Sequence, residues 1–190
     1  MNPPFKIGLD SWIIQDGNYP DFQVGDEKMF ALEFYPQEFI SASKQTKSLD
    51  SIAGPEYRFS GEVIVSEPGV QVLDVGILCY HDGKLTNFPP SGTFISGRLS
   101  LNVDPFYWYE TLAQRSNMPN LFYRWRIEKI ILETTLWTIS EERGGKVIKR
   151  VPGPRTFEEI QRTNAAEDDD GRAYYELKCI LLSDNIVHHE

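Results

Sequence analysis

The segment Tyr57–Tyr80 decides the fold class of this chain; it reads YRFSGEVIVSEPGVQVLDVGILCY. Apolar side chains occupy alternate positions from Tyr57 to Val65, which is the period of a half-buried β-strand. After the Pro68-Gly69 turn, residues 70–80 are apolar on both faces, as in a strand that lies inside a sheet. The segment therefore predicts two adjacent strands of a mainly β domain.

The same pattern continues on both sides of this segment. Period-two runs predict strands at 5–14, 29–35, 93–103 and 175–181, and a long hairpin across 121–140 that continues past a Gly144-Gly145 turn. Asp82-Gly83 predicts a two-residue hairpin turn. The polar residues 37–56 predict a long loop, with a short helical turn near Pro36-Gln37-Glu38.

One segment follows helical spacing instead. Asp104 is a favourable helix N-cap and Pro105 is favoured at the first helical position, so the sequence predicts a short helix over 105–115. From residue 57 onward, the predicted order is then three strands, a helix and two strands. This order resembles that of the five-stranded oligonucleotide/oligosaccharide-binding (OB) barrel, although no residue motif carries the resemblance.

We therefore predict an antiparallel barrel with the OB-like strand order β-β-β-α-β-β and extra N-terminal strands. A β-sandwich is the alternative, because it fits the same strand pattern. Residues 1–56 would form N-terminal strands and a loop packed on a main β domain of residues 57–190, within one folding unit.

The charge is strongly acidic, with 19 Lys and Arg against 28 Asp and Glu and a formal net charge of −9. This balance argues against a protein that tracks polyphosphate, because such binding depends on basic side chains. The charge is unevenly distributed: residues 121–150 carry seven basic and four acidic side chains, and residues 155–190 carry four basic and nine acidic ones. Two solvated faces of opposite sign are the simplest interpretation.

Few residues have the chemistry of catalysis or metal binding. His81 precedes the predicted turn and is expected to be exposed, and His188 and His189 are expected to lie in a frayed tail. The acidic run 167–171 lacks the spacing of a calcium loop and predicts a solvated loop. Phosphate-binding and hydrolase motifs are absent from the sequence. We therefore expect no enzyme activity, no cofactor and no metal site.

Two cysteines, Cys79 and Cys179, lie on the apolar phases of their strands, so we expect buried, reduced thiols and a cytoplasmic protein. No apolar run is long enough to cross a bilayer, and the N-terminal residues lack the pattern of a signal peptide. We accordingly expect no membrane association.

The most informative cluster combines aromatic rings with arginines. Four consecutive rings at 106–109 are followed at 122–126 by three rings and two guanidinium groups. Four consecutive rings cannot all face one core, and exposed aromatic and Arg side chains are common anchors of recognition surfaces. The candidate binding residues are Tyr107, Trp108, Tyr109, Tyr123, Arg124, Trp125 and Arg126. The alternative is that Trp125 and Phe106 belong to the core.

Two main functions follow from these features. The first is a non-enzymatic interaction protein whose acidic surface meets a basic protein, as an inhibitor or immunity-type protein would. The second is a barrel that binds single-stranded nucleic acid or oligosaccharide through the aromatic and Arg cluster. A third possibility is a subunit of a larger assembly.

Overall fold

The computed structural model describes residues 4–42, 44–142 and 145–183. Strands make up 54% of the structure, which confirms the predicted mainly β class. The strands are β1 (Phe5–Asp10), β2 (Glu27–Phe30), β3 (Leu32–Ser41), β4 (Ser48–Ser51), β5 (Glu56–Glu67), β6 (Gly69–Asp74), β7 (Leu78–Gly83), β8 (Phe94–Val103), β9 (Tyr123–Glu133), β10 (Trp137–Glu142), β11 (Gly145–Arg150), β12 (Phe157–Ile160) and β13 (Tyr174–Ser183). The helical elements are short: α1 (Ser11–Gln15), a π-type turn (Trp108–Leu112) and a 3₁₀ turn (Asp168–Gly171).

Five strands close the predicted barrel. Strands β5, β6 and β7 form an antiparallel meander, β5 pairs with β8, and β8 pairs with β3. The ring closes through a parallel bridge between Glu33 on β3 and Tyr80 on β7. The barrel is confirmed, but its fifth strand is N-terminal: β3 closes it, and none of the described strands after residue 105 belongs to it.

The predicted loop over 37–56 is wrong, because β3 continues past Pro36 to Ser41 and β4 follows at 48–51. A register shift between Pro36 and Glu38 accommodates the proline, whose missing N–H is tolerated at a bulge. Gly97 on the neighbouring strand permits this geometry, since a Cβ atom there would lie 2.0 Å from the Glu38 carbonyl oxygen.

The predicted turn at Asp82-Gly83 is also wrong. Both residues lie inside β7 and pair with β6, and the chain reverses instead at residues 75–77. Gly76 supplies the left-handed conformation with φ of 97°, and its amide donates a 3.0 Å hydrogen bond to Asp74 Oδ1. The apolar segment 70–80 is therefore two strands joined by a tight turn.

A second group of strands extends the sheet beyond β8. Strand β1 joins β8 by a parallel bridge between Gly8 and Asn102, and β13 and β9 follow in order, with β2 and β12 pairing along β9. The predicted strand over 5–14 ends at Asp10, where α1 begins. One continuous core fills the barrel and the inner side of the second group, and it includes the buried, free Cys79 and Cys179, as predicted.

The C-terminal strand prediction is confirmed by β13, which buries Tyr175 and Leu177. The predicted hairpin across 121–140 is instead one long strand, β9, followed by the separate hairpin of β10 and β11. The predicted turn at Gly144-Gly145 includes Gly144, which lies outside the described residues.

Residues 105–122 cover the outside of the barrel rather than forming a full helix. The helical part is limited to the π-type turn, because Phe106 has a left-handed φ of 74° that a helix over 105–115 cannot contain. Trp108, Leu112 and Leu121 pack on the outer apolar side chains of β5, β6 and β7 in a second core. None of the helices in the described ranges is long and apolar enough to cross a membrane.

Candidate functional site

The predicted aromatic and Arg cluster is divided between core and surface. Trp108, Tyr123 and Trp125 are buried, Tyr107 is half-buried, and the remaining three are exposed, namely Tyr109, Arg124 and Arg126. Trp125 is completely enclosed; it stacks on Phe30, and its indole N–H donates a 3.1 Å hydrogen bond to the Phe30 carbonyl oxygen. The buried rings stabilise the fold, and Trp125 belongs to the core, as the alternative interpretation of the cluster predicts.

The two arginines share the outer face of β9, as strand alternation predicts. Each is engaged by a carboxylate: Arg124 lies 3.8 Å from Glu27, and Arg126 lies 2.5 Å from Glu128. These ion pairs reduce the positive potential that would attract a phosphate. Binding through the exposed residues of the cluster, Tyr109, Arg124 and Arg126, stays a prediction.

The expectations for His81 and for the acidic run differ from the structure. His81 lies within β7, half-buried, and its Nδ1–H donates to the Phe34 carbonyl oxygen at 3.0 Å, so it is not an exposed turn residue. In the acidic run, Asp168 accepts a hydrogen bond from Tyr175 and Asp169 accepts one from Trp137, so this loop is tied to the body. His188 and His189 lie outside the described residues.

A groove of about 620 Å³ lies where the outer face of the barrel meets the second group of strands. We call it the acidic groove. Its lining residues are Gln37, Ala53, Gly54, Pro55, Glu56, Ser100, Ile131, Arg155, Phe157, Tyr174 and Glu176. It combines apolar surface with two carboxylates and with the Arg155 guanidinium, which Glu133 engages at 3.2 Å, so the carboxylates can hold a side chain that has an apolar stem and a positively charged end.

Two glycines shape this groove. A Cβ atom at Gly8 would lie 2.3 Å from the Tyr174 hydroxyl, so the absence of a side chain there lets Tyr174 lie across β1. Gly54 has a left-handed φ of 51°, and a Cβ atom on it would lie 3.2 Å from Glu176 Oε2. The turn between β4 and β5 can therefore approach the Glu176 carboxylate closely.

Only some of the charged groups around Tyr174 form ion pairs. Glu56 forms an ion pair with Arg98 at 3.6 Å, and Arg155 is engaged by the buried Glu133 at 3.2 Å. In the part of the chain that the structure describes, Asp10 and Glu176 have no ion-pair partner within 4.0 Å. Burial raises the pKa of the Asp10 carboxyl. Burial also raises the pKa of Tyr174, and the nearby carboxylates of Asp10 and Glu176 add to this shift.

A second set of polar groups lies next to this groove on β3 and β7. Tyr35 donates a hydrogen bond to Glu33, and Glu33 is only 6% exposed. Burial raises the pKa of Glu33 to about 7, and the charge of Asp104 adds to the rise. Asp104 itself accepts hydrogen bonds from the Tyr80 hydroxyl and, at 3.2 Å, from the Trp108 amide, and burial raises its pKa to about 6.

Acidic side chains from neighbouring strands act on two tyrosines in this region. The charges of Glu33, Asp10 and Asp82 raise the pKa of Tyr35, and those of Asp10 and Glu176 raise the pKa of Tyr174. Negative charge lining a concave surface focuses the field and attracts cations. The described residues contain no cluster of three or more His, Cys, Asp and Glu with the arrangement of a metal site.

Sequence reasoning did not single out Asp10, Glu33, Tyr174 or Glu176. They come from three strands far apart in the chain, and their proximity depends on the bridges that join β1, β3, β8 and β13. Comparison with family models, with curated proteins and with solved structures found no match for this chain.

Proposed function

We propose that this protein is a non-enzymatic binding protein that captures a basic protein partner through the acidic groove, as an inhibitor or immunity-type protein does. The observation that carries the proposal concerns the two carboxylates next to Tyr174: Glu176 lines the groove, and Asp10 lies opposite Tyr174 in the register of β1 and β13, beside the lining. Among the described residues, neither has an ion-pair partner within 4.0 Å. An arginine or lysine of the partner would place its charge between them. Its stem would lie on Ile131 and Phe157.

The net charge supports the same partner chemistry. A chain of formal charge −9 accelerates its encounter with a cationic protein through long-range attraction, and this effect weakens as salt is added. Tyr174 adds an aromatic ring that can attract the cation. The alternative function, binding of nucleic acid or oligosaccharide through the aromatic cluster, has less support because Trp108, Tyr123 and Trp125 are enclosed in the core.

We place the protein in a reducing compartment, the cytoplasm, because its two cysteines are buried free thiols.

The experiment is a fluorescence titration at low and high salt with three labelled probes. These are a peptide of alternating arginine and glycine, the corresponding glutamate peptide, and single-stranded oligothymidylate. The proposal expects saturable binding of the arginine peptide alone. Asp10→Asn and Glu176→Gln should each weaken it by roughly tenfold, the scale of a charge-assisted hydrogen bond. Glu27→Gln is the matched control, because this exposed carboxylate pairs with Arg124 on β9. Binding of oligothymidylate alone would favour the alternative function.

A further inference from the structure

A second groove, of about 600 Å³, lies on the outer face of β3, β4, β5 and β8. Serine and arginine side chains dominate its polar lining, and we call it the serine–arginine groove, with Ser48, Arg58, Ser60, Ser96 and Arg98 as its defining residues. The ion pair between Arg98 and Glu56 connects it to the acidic groove, since one partner lines each.

Strand register arranges these residues in two rows across four strands. One row reads Asp50, Arg58, Arg98 and Glu38 on β4, β5, β8 and β3. The next row reads Ser48, Ser60, Ser96 and Ile40 on the same strands. Positions two residues apart on a strand face the same side, so both rows lie on the outer face, about 7 Å apart.

The arginine row places two like charges at neighbouring positions. Arg58 and Arg98 are directly opposite each other on neighbouring strands, a placement that destabilises a sheet unless an anion compensates it. Arg98 is compensated in part by Glu56 at 3.6 Å. Among the described residues, no carboxylate lies within 4.0 Å of the exposed Arg58 guanidinium.

We propose that the serine–arginine groove binds a single phosphate or sulfate monoester between Arg58 and Arg98, with the hydroxyls of Ser60 and Ser96 as further donors. Two guanidinium forks and two hydroxyls match a group with three terminal oxygens better than a planar carboxylate, which a single fork satisfies. This site goes beyond the proposed function, since its ligand is an anion and its residues are different.

The ends of the arginine row limit the ligand to one anionic group. Asp50 and Glu38 stand at the two ends, on the outer sides of the arginines. They would repel an extended phosphodiester chain that runs across the strands, whereas a monoester seated between the arginines meets the positive centre of the row. Polyanions are therefore expected to bind more weakly than a monoester.

The test uses two-dimensional NMR titration of the full chain with four probes at constant ionic strength. The probes are a short phosphoserine peptide, glucose 6-phosphate, and the unphosphorylated form of each. We expect saturable shifts of the β5 and β8 amides with at least one phosphorylated probe and none with its unphosphorylated form. Response to the peptide alone assigns the monoester to a phosphorylated protein segment, and response to the sugar phosphate assigns it to a small metabolite.

Variants separate this site from a general charge effect. Arg58→Gln should weaken binding by roughly tenfold, and Arg58→Lys should restore only part of it, because lysine keeps the charge and loses the fork. Arg162→Gln is the control, an exposed arginine outside this groove that pairs with Asp21, and it should bind as the wild type does. Absence of saturable shifts at millimolar probe, or equal affinity of Arg58→Gln and wild type, would overturn the proposal.

Discussion

Tyr35 donates a 2.7 Å hydrogen bond from its hydroxyl to Oε2 of Glu33, although the two residues are only two positions apart on β3. Tyr35 is 44% exposed and the Glu33 carboxyl group is buried, so an exposed ring is hydrogen-bonded to a buried group that changes charge near neutral pH. This pair connects the acidic surface to the stability of the barrel, because Glu33 also forms the closing bridge with Tyr80.

The stability of the protein should fall as the pH rises from about 4.5 to about 7. Glu33 has a pKa of about 7 in the folded protein against 4.5 in the ordinary case, so the folded state holds a proton that the unfolded state releases. One pKa unit corresponds to about 1.4 kcal/mol. The free energy of unfolding should therefore be up to about 3 kcal/mol higher below pH 4.5 than above pH 7 because of Glu33. Urea unfolding across this pH range measures the slope.

The variant Glu33→Gln identifies the source of this slope. It should be more stable than the wild type at pH 8, and the decline in stability should be smaller over the whole range from pH 4.5 to 7. A decline below pH 6 should remain, since burial raises the pKa of Asp104 from 3.8 to about 6 and this group acts between those values. An unchanged slope above pH 6 would show that Glu33 titrates normally.

Removing the Tyr35 hydroxyl should raise the pKa of Glu33 further. The hydrogen bond stabilises the charged carboxylate and lowers its pKa against the opposing effect of burial. In Tyr35→Phe, a carbon-13 NMR titration of the Glu33 carboxyl group should therefore show a midpoint above the wild-type value. A midpoint that moves down would mean that the hydroxyl bonds to the protonated form instead.

The aromatic and Arg cluster should separate into structural and surface residues on mutation. Trp125→Ala should lower the free energy of unfolding by about 3–5 kcal/mol, because it empties a large enclosed volume. The double variant Arg124→Ala and Arg126→Ala should stay within about 1 kcal/mol of wild type, since both are exposed. Thermal and urea unfolding of the two variants measure the difference, and similar losses in both would contradict this division.

Both thiols should react slowly in the native protein. Cys79 and Cys179 have no exposed surface, and burial raises the pKa of each thiol above its ordinary value, which disfavours the reactive thiolate. A bulky disulfide reagent should modify them at the rate of unfolding, and denaturant should release both at once. Fast modification in native buffer would contradict their burial.

Local patterns predicted the strands, and long-range pairing explains where the prediction failed. The period-two runs around Tyr57 and Tyr175 reflect one-sided burial, which each strand carries in its own sequence. The path of β3 through Pro36 depends on Gly97, sixty-one positions away, so no local signal could show it. Asp82 and Gly83 do not form the predicted turn, because both residues pair with β6. The turn between β6 and β7 forms at Gly76 instead.

The candidate groove could not be predicted for the same reason. Asp10, Tyr174 and Glu176 stand opposite apolar phases and look like ordinary solvated side chains in the sequence. What brings them together is the pairing of β1 with β13 and the space above Gly8. The aromatic cluster, by contrast, is easy to recognise in the sequence. The burial of Trp108 is not, because the second core that contains it forms only when residues 105–122 fold over the barrel.

NMR mapping of the bound arginine–glycine peptide determines whether the acidic groove receives a cationic side chain. We expect amide shifts to concentrate at residues 8–10 of β1, at 53–56, and at 174–176 of β13. We also expect the combined variant Asp10→Asn and Glu176→Gln to abolish these shifts while preserving the rest of the spectrum. Shifts that map to 124–126 of β9 instead, or that persist unchanged in the combined variant, would show that the peptide does not bind in this groove.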